Sequence, residues 1–207
     1  MKRLQRGILI AFEGIDGAGK TTQARLAFDY LSKKGYSCVY LKEPTDGPIG
    51  QKIRAFAIAG REKVSPFEEF NLFLKDRIED VEKNIKPALA EKKIVLIDRY
   101  YYSSIAYQGA LGIDPNFIRT ENEKIAPIPD RVYYLSILPE LSTDRIISYR
   151  GDSVNLFEKR EYLEKVKSIF DSIDTSEIMR IDGSLKKEEI QKKIQEDIKG
   201  IIKSISK

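Results

Sequence analysis

Gly14-Ile15-Asp16-Gly17-Ala18-Gly19-Lys20-Thr21 has the spacing G-x-x-x-x-G-K-[ST], that of a phosphate-binding loop. Its surroundings fit. The apolar run Ile8-Leu9-Ile10-Ala11-Phe12 before it predicts a buried strand, and residues 22–33 after it predict a helix. A loop between strand and helix turns backbone N–H groups and the positive end of the helix toward a phosphate. The motif, extended to Thr22, is therefore expected to hold a nucleotide. Lys20 would reach its β- and γ-phosphates and Thr21 would offer its hydroxyl to Mg²⁺.

Moving outward, apolar runs near 7–12, 37–42, 94–98, 132–137 and 178–181 predict five buried parallel strands. Charged, periodic stretches near 20–33, 48–60, 66–91, 100–109, 114–125, 139–149, 155–173 and 186–205 predict helices between them. Strands alternating with helices give an α/β fold, a parallel sheet covered on both faces, with ligands at the carboxyl ends of the strands.

Composition narrows the chemistry. The 207 residues carry a net charge of +4, one cysteine and no histidine. Cys38 alone makes no intramolecular disulfide or cysteine-cluster metal site. Without histidine, Ser-His hydrolysis and His-ligated metals are excluded. Carboxylates, Lys and Arg remain, the groups that serve phosphoryl transfer. No apolar run approaches membrane-spanning length. Basic residues are interspersed with acidic ones rather than gathered in a stripe, so no nucleic-acid partner is expected. The N-terminal Met1-Lys2-Arg3-Leu4-Gln5-Arg6 leads into the first strand without a signal-peptide pattern, and the expected location is the cytoplasm.

Two further constellations carry chemistry. The run Ile94-Val95-Leu96-Ile97 ends in Asp98. Such a carboxylate either holds Mg²⁺ beside the phosphate loop or caps the helix that follows. Phe73 and Arg77 are four residues apart and share one helix face. They form either a ring that stacks on a base beside a guanidinium at its edge, or a core ring beside a surface ion-pair partner. Spacing alone favours the second.

Longer blocks resemble one family. Phe12-Glu13-Gly14 through Thr21-Thr22-Gln23 resembles the opening of thymidylate kinases, and Leu72-Phe73-x-x-Asp76-Arg77 is likewise similar to that family. Asp98-Arg99-Tyr100-x-x-Ser103-Ser104-x-x-Tyr107-Gln108-Gly109 resembles their central signature. Pro129-Asp130-Arg131-Val132-Tyr133-Tyr134-Leu135, Lys42-Glu43-Pro44 and Pro48-Ile49-Gly50-x-x-Ile53-Arg54 fit the remainder, in order. The resemblance implies a P-loop NTPase three-layer fold in a single domain spanning 1–207, with a short lid near 145–158. It implies transfer of the γ-phosphate of ATP to dTMP, with Mg²⁺, in a homodimer joined through helices near 66–91 and 100–109.

Site roles follow by the same resemblance. Asp16 would lie near the acceptor sugar and phosphate. Phe73 would stack on thymine, Arg77 would face the base edge, and Arg99 would bridge acceptor and donor phosphates. Tyr107 would favour deoxyribose, with Ser103 and Ser104 near the base. Glu43, Pro44, Arg54 and Gln108 would complete the acceptor site, Asp98 would join Thr21 at the metal, and Arg145 would join the ATP site.

Four positions set the chain apart from some or many members. Gly17 stands where some members keep a catalytic arginine in the loop, which points to a lid arginine. Yet Asn155-Leu156-Phe157-Glu158 stands where many members show Asp-Arg-Phe-Glu. Arg150 is then the expected substitute, followed by Arg145. Lys42 replaces the arginine usual before Glu-Pro, and Ser104 replaces an asparagine frequent in some members. These departures leave two alternatives: a related kinase for dUMP or a wider set of pyrimidine nucleotides, or a nucleotide-binding regulator weak in catalysis.

Overall fold

In the computed structural model, β1 (Ile8–Glu13) is the central strand of one sheet, with β3 (Ile94–Asp98) on one side and β4 (Arg131–Ser136) on the other. β2 (Cys38–Lys42) pairs beyond β3 and β5 (Ile178–Asp182) beyond β4. Every pairing is parallel. Residues 2, 4–59, 64–150 and 156–205 are described, without the side chains of 57–59, 146–150 and 156–159.

Every residue of β1 and β3 is buried, which is why both read as apolar runs, rather than alternating ones, up to their last residues, Glu13 and Asp98. Each fully buried Ile, Leu or Phe there contributes roughly 1.5–3 kcal/mol. α1 (Lys20–Lys33) packs on β1, β2, β3 and the last helix, α9 (Lys187–Ile205). α9 turns Ile190, Ile194, Ile198 and Ile202 inward, the stripe its sequence period dictates.

Between β2 and β3 run α2 (Pro48–Ala59), α3 (Pro66–Asp80) and α4 (Lys86–Ala90). Ser65 and Glu68 form a reciprocal capping box and Pro66 takes the first helical position, so α3 starts where its sequence demands. The expected single helix over 66–91 is interrupted. Val81–Ile85 is a π-helical turn, with Lys86 N–H bonding to Val81 O. Pro87 has no N–H for the regular ladder and its ring crowds the preceding turn; the wider turn accommodates it.

α5 (Tyr101–Gly109) and α6 (Pro115–Glu123) separate β3 from β4. α7 (Pro139–Arg150) and α8 (Leu156–Ser172) lie between β4 and β5. No helix among the described residues is long and apolar enough to cross a membrane. The phosphate loop, Asp98 and the chain beyond β2 and β5 thus meet at one rim, the carboxyl ends of the strands.

Candidate active site

The phosphate loop leaves β1 at Gly14, whose φ is 142°; a Cβ there would sit 2.6 Å from Leu135 O. Only glycine fits. Gly19, at φ 95°, opens α1 without a side-chain cap, so the first N–H groups of the helix stay available to an anion. Lys20 is buried and donates to Ile15 O at 2.8 Å. Burial pushes its ammonium down from 10.5 to about 8. Nearby Arg99 adds to the fall; Asp16, Asp98 and Glu13 oppose it.

Thr21 Oγ1 donates to Asp98 Oδ2, and Tyr40 OH donates to the same oxygen at 3.3 Å. Asp98 therefore does not cap α5. A hydroxyl and a carboxylate side by side fit Mg²⁺, which takes oxygen ligands and relies on phosphates and water for the rest. No group of three or more His, Cys, Asp or Glu among the described residues forms an all-protein cage. The loop, Asp98, Arg99, Arg145 and Gly183 line a cavity of about 570 Å³.

Across Asp16 and Arg99 lies a second cavity, about 200 Å³, lined by Phe73, Arg77, Ser103, Ser104, Tyr107 and Gln108 among others. Arg77 forms its back wall. It is buried and donates to Glu43 Oε2 from Nε at 2.9 Å and from Nη2 at 2.5 Å. Its Nη1 donates to Ser104 Oγ at 3.2 Å and to Asn122 Oδ1. Burial pushes the Glu43 carboxyl up to about 8 despite the guanidinium beside it, and Asp80 and Asp76 add to the rise. Asp76 takes two bonds from Thr45, at 2.8 and 2.6 Å, and so fixes the loop carrying Pro44. Arg54 donates to Pro44 O at 2.8 Å and to Asp46 at 3.1 Å. Gly50 packs so closely on this loop that a Cβ would meet Thr45 O at 1.9 Å.

Two cavities, one loop built for phosphate and one closed by a buried arginine, share a wall made of Asp16 and Arg99. A family model described as thymidylate kinase matches residues 12–194. The thymidylate kinase of Desulfotalea psychrophila is 47% identical over 197 residues, 95% of this chain and 96% of the relative. The chain belongs to the thymidylate kinase family. The probable thymidylate kinase of Archaeoglobus fulgidus is 44% identical over 196 residues, 94% and 96% of the two chains. That of Akkermansia muciniphila is 44% identical over 191 residues, 92% and 91%.

Within this thymidylate kinase fold most of the expected residues converge. Asp16, Glu43, Pro44, Arg54, Phe73, Arg77, Arg99, Ser103, Ser104, Tyr107 and Gln108 all line the smaller cavity. Phe73 is half-buried there, and Arg77 is a buried rather than a surface ion-pair partner. Thr22 and Lys42 line the larger cavity. Arg145 reaches it too, donating to Gly17 O at 3.2 Å and Gly183 O at 3.1 Å. Ser142, one turn earlier on α7, donates to Asp16 O, so one helix face holds the loop. Arg150 ends α7, but its side chain, like residues 151–155 of the expected lid, lies outside the described residues.

Sequence reasoning assigned no role to several participants. Glu13 sits beneath Arg99. Glu69 accepts from Gln108 at 3.2 Å, and Asn122 holds Arg77. Gly183, Leu185 and Lys187 border the larger cavity. The Asp182-Gly183-Ser184 turn after β5 was the available signal for the last group. For Glu13 and Asn122 the only signal was polarity in stretches that bury their neighbours.

Proposed function

We propose that this kinase transfers the γ-phosphoryl group of ATP to dTMP, releasing ADP and dTDP for dTTP synthesis. The observation that carries it is the shared wall: Asp16 and Arg99 border both cavities, where a phosphoryl group would pass from one to the other. The larger cavity takes ATP and the smaller takes the nucleoside monophosphate, its base between Phe73 and Arg77.

The acceptor phosphate is already an anionic nucleophile, so no strong base is required. Its oxygen bonds to the γ-phosphorus as the bond to the β–γ bridging oxygen breaks, and ADP leaves carrying that electron pair. Lys20, the loop N–H groups and Arg99 neutralise the charge on the moving group. Thr21 and Asp98 would hold Mg²⁺, which supplies further charge neutralisation at the phosphates. Arg145, already at the loop, borders the ATP site, and Arg150 is assigned to the lid, near 145–158, that closes over it. We read 1–207 as one kinase domain, acting as a cytoplasmic homodimer.

The test mixes the protein with ATP, Mg²⁺ and separately dTMP, dUMP, dCMP, UMP and dGMP, and follows ADP release. Turnover fastest with dTMP is the expected result. Faster turnover with another monophosphate would move the acceptor assignment, and nucleotide binding without turnover would favour a regulator.

A further inference from the structure

Arg99 occupies an unusual position. Its φ is 70°, a left-handed conformation that residues with a Cβ rarely hold unless their surroundings impose it. The chain turns here from β3 into α5. On the strand side, Arg99 N–H donates to Phe12 O at 3.0 Å. On the helix side, Tyr100 stands at the N-cap with no side-chain cap bond of its own.

Glu13 supplies what α5 lacks. It is the last residue of β1 and is fully buried. Its Oε1 accepts from Tyr100 N–H at 2.7 Å and from Ser103 N–H at 3.2 Å. Its Oε2 accepts from Ser103 Oγ at 2.6 Å. Ser103 Oγ in turn accepts from Arg99 Nη1 at 3.0 Å. A hydroxyl has one hydrogen, and the carboxylate takes it. The lone pairs of Ser103 therefore face the guanidinium, whose other terminal nitrogen lies 2.6 Å from Asp16.

We propose that Glu13 is a positioning residue for phosphoryl transfer: through the Tyr100 and Ser103 N–H groups it fixes the bend at Arg99, and through the Ser103 hydroxyl it aims the Arg99 side chain at the wall between the two cavities. The proposal rests on the reaction proposed above. A carboxylate is needed because every partner on this side is a donor. Glutamine in its place would turn an N–H against Tyr100 and Ser103 N–H, or against Ser103 Oγ. The latter reverses the hydroxyl and points its hydrogen at Arg99.

The test compares wild type, Glu13→Gln, Ser103→Ala and the double variant, with KM for ATP and thermal stability measured for each. Glu13→Gln is expected to lower kcat by about 10- to 100-fold, short of the ~10²–10³ lost with a direct charge-stabilising donor. KM for ATP should stay within about twofold, because the loss is confined to the transition state. The double variant should be no slower than the slower single variant, since both cut one relay. A kcat for Glu13→Gln within about threefold of wild type, or single-variant losses that multiply in the double variant, would overturn the proposal. Should Glu13→Gln fail to fold, Ser103→Ala alone decides, because it leaves the carboxylate on the Tyr100 N–H: unchanged kcat overturns the relay. A crystal structure of Glu13→Gln supplies a readout that does not need turnover. Loss of the Arg99–Asp16 pair supports the proposal and its retention overturns it, even if wild type proves inactive toward dTMP and the reaction itself is misassigned.

Discussion

Arg99 Nη2 lies 2.6 Å from Asp16 Oδ1, and the same guanidinium sits 5.0 Å from the centre of the Tyr107 ring. One arginine thus ties the phosphate loop of β1 to helix α5, across the wall that both nucleotides would share. Its planar fork addresses Ser103 and Asp16 from separate nitrogens, a geometry that an ammonium cannot reproduce. Arg99→Lys should keep the charge yet lower kcat by about 10²-fold, read from steady-state rates at saturating ATP and dTMP. A loss below about threefold would show that charge alone suffices at this position.

Lys20 trades stability for function. Its pKa falls from 10.5 to about 8 on folding, so holding it charged at neutral pH costs about 3 kcal/mol. Lys20→Met should abolish turnover while stabilising the nucleotide-free protein by about 1–3 kcal/mol, measured by urea unfolding at pH 7. The sign with pH follows. Between about 8 and 10.5 the unfolded chain binds more protons at this lysine than the folded one, so wild-type stability gains from rising pH across that window. The Met variant should lack that gain. For the same reason kcat/KM for ATP should decline above about pH 8 in wild type.

The Arg77–Glu43 pair is buried on both sides. Arg77→Leu leaves Glu43, Ser104 and Asn122 without their donor, and should destabilise the fold by about 3 kcal/mol in urea unfolding. Full stability would mean that Glu43 takes up a proton once Arg77 is gone and that Ser104 and Asn122 find other donors. In that case the pair serves pocket shape more than folding.

Phe73 is only half-buried and lines the smaller cavity, the one proposed for the acceptor. Phe73→Ala should therefore cost little stability but raise KM for dTMP by roughly tenfold, in line with 1–3 kcal/mol for an aromatic ring stacked on a base. KM for ATP should not move. A variant that melts early with both KM values unchanged would return Phe73 to the core.

The α/β architecture was legible because the buried parallel strands are continuous apolar runs and the phosphate loop punctuates the first of them. The spacing of the loop motif placed Gly14 at the end of β1 and Lys20 at the start of α1. Phe73 and Arg77 were ambiguous from spacing, since a helix face says which residues are neighbours but not what covers them. The packing of α3 against Glu43, Ser104 and Asn122 shows Arg77 to be buried rather than a surface partner, and Phe73 lines the smaller cavity. The π-turn at Val81–Ile85 had a signal in Pro87, but a periodic apolar pattern runs straight across it. Glu13 was hidden for a different reason. Its partners are backbone N–H groups 87 and 90 residues away, brought close only when β1 pairs with β3.

Arg77 has five N–H hydrogens, and four meet Glu43, Ser104 and Asn122. In the proposed pose a single hydrogen remains to question the base, and it can only donate. A pyrimidine presenting a carbonyl at that edge satisfies it; one presenting an amino group sets donor against donor in a closed pocket. The 5-methyl group is judged by contact alone, where one missing methyl changes rates only about 10- to 200-fold. Selectivity would thus be steep between thymine and cytosine and shallow between thymine and uracil, so that dUMP, where it is present, competes for this site far better than dCMP does.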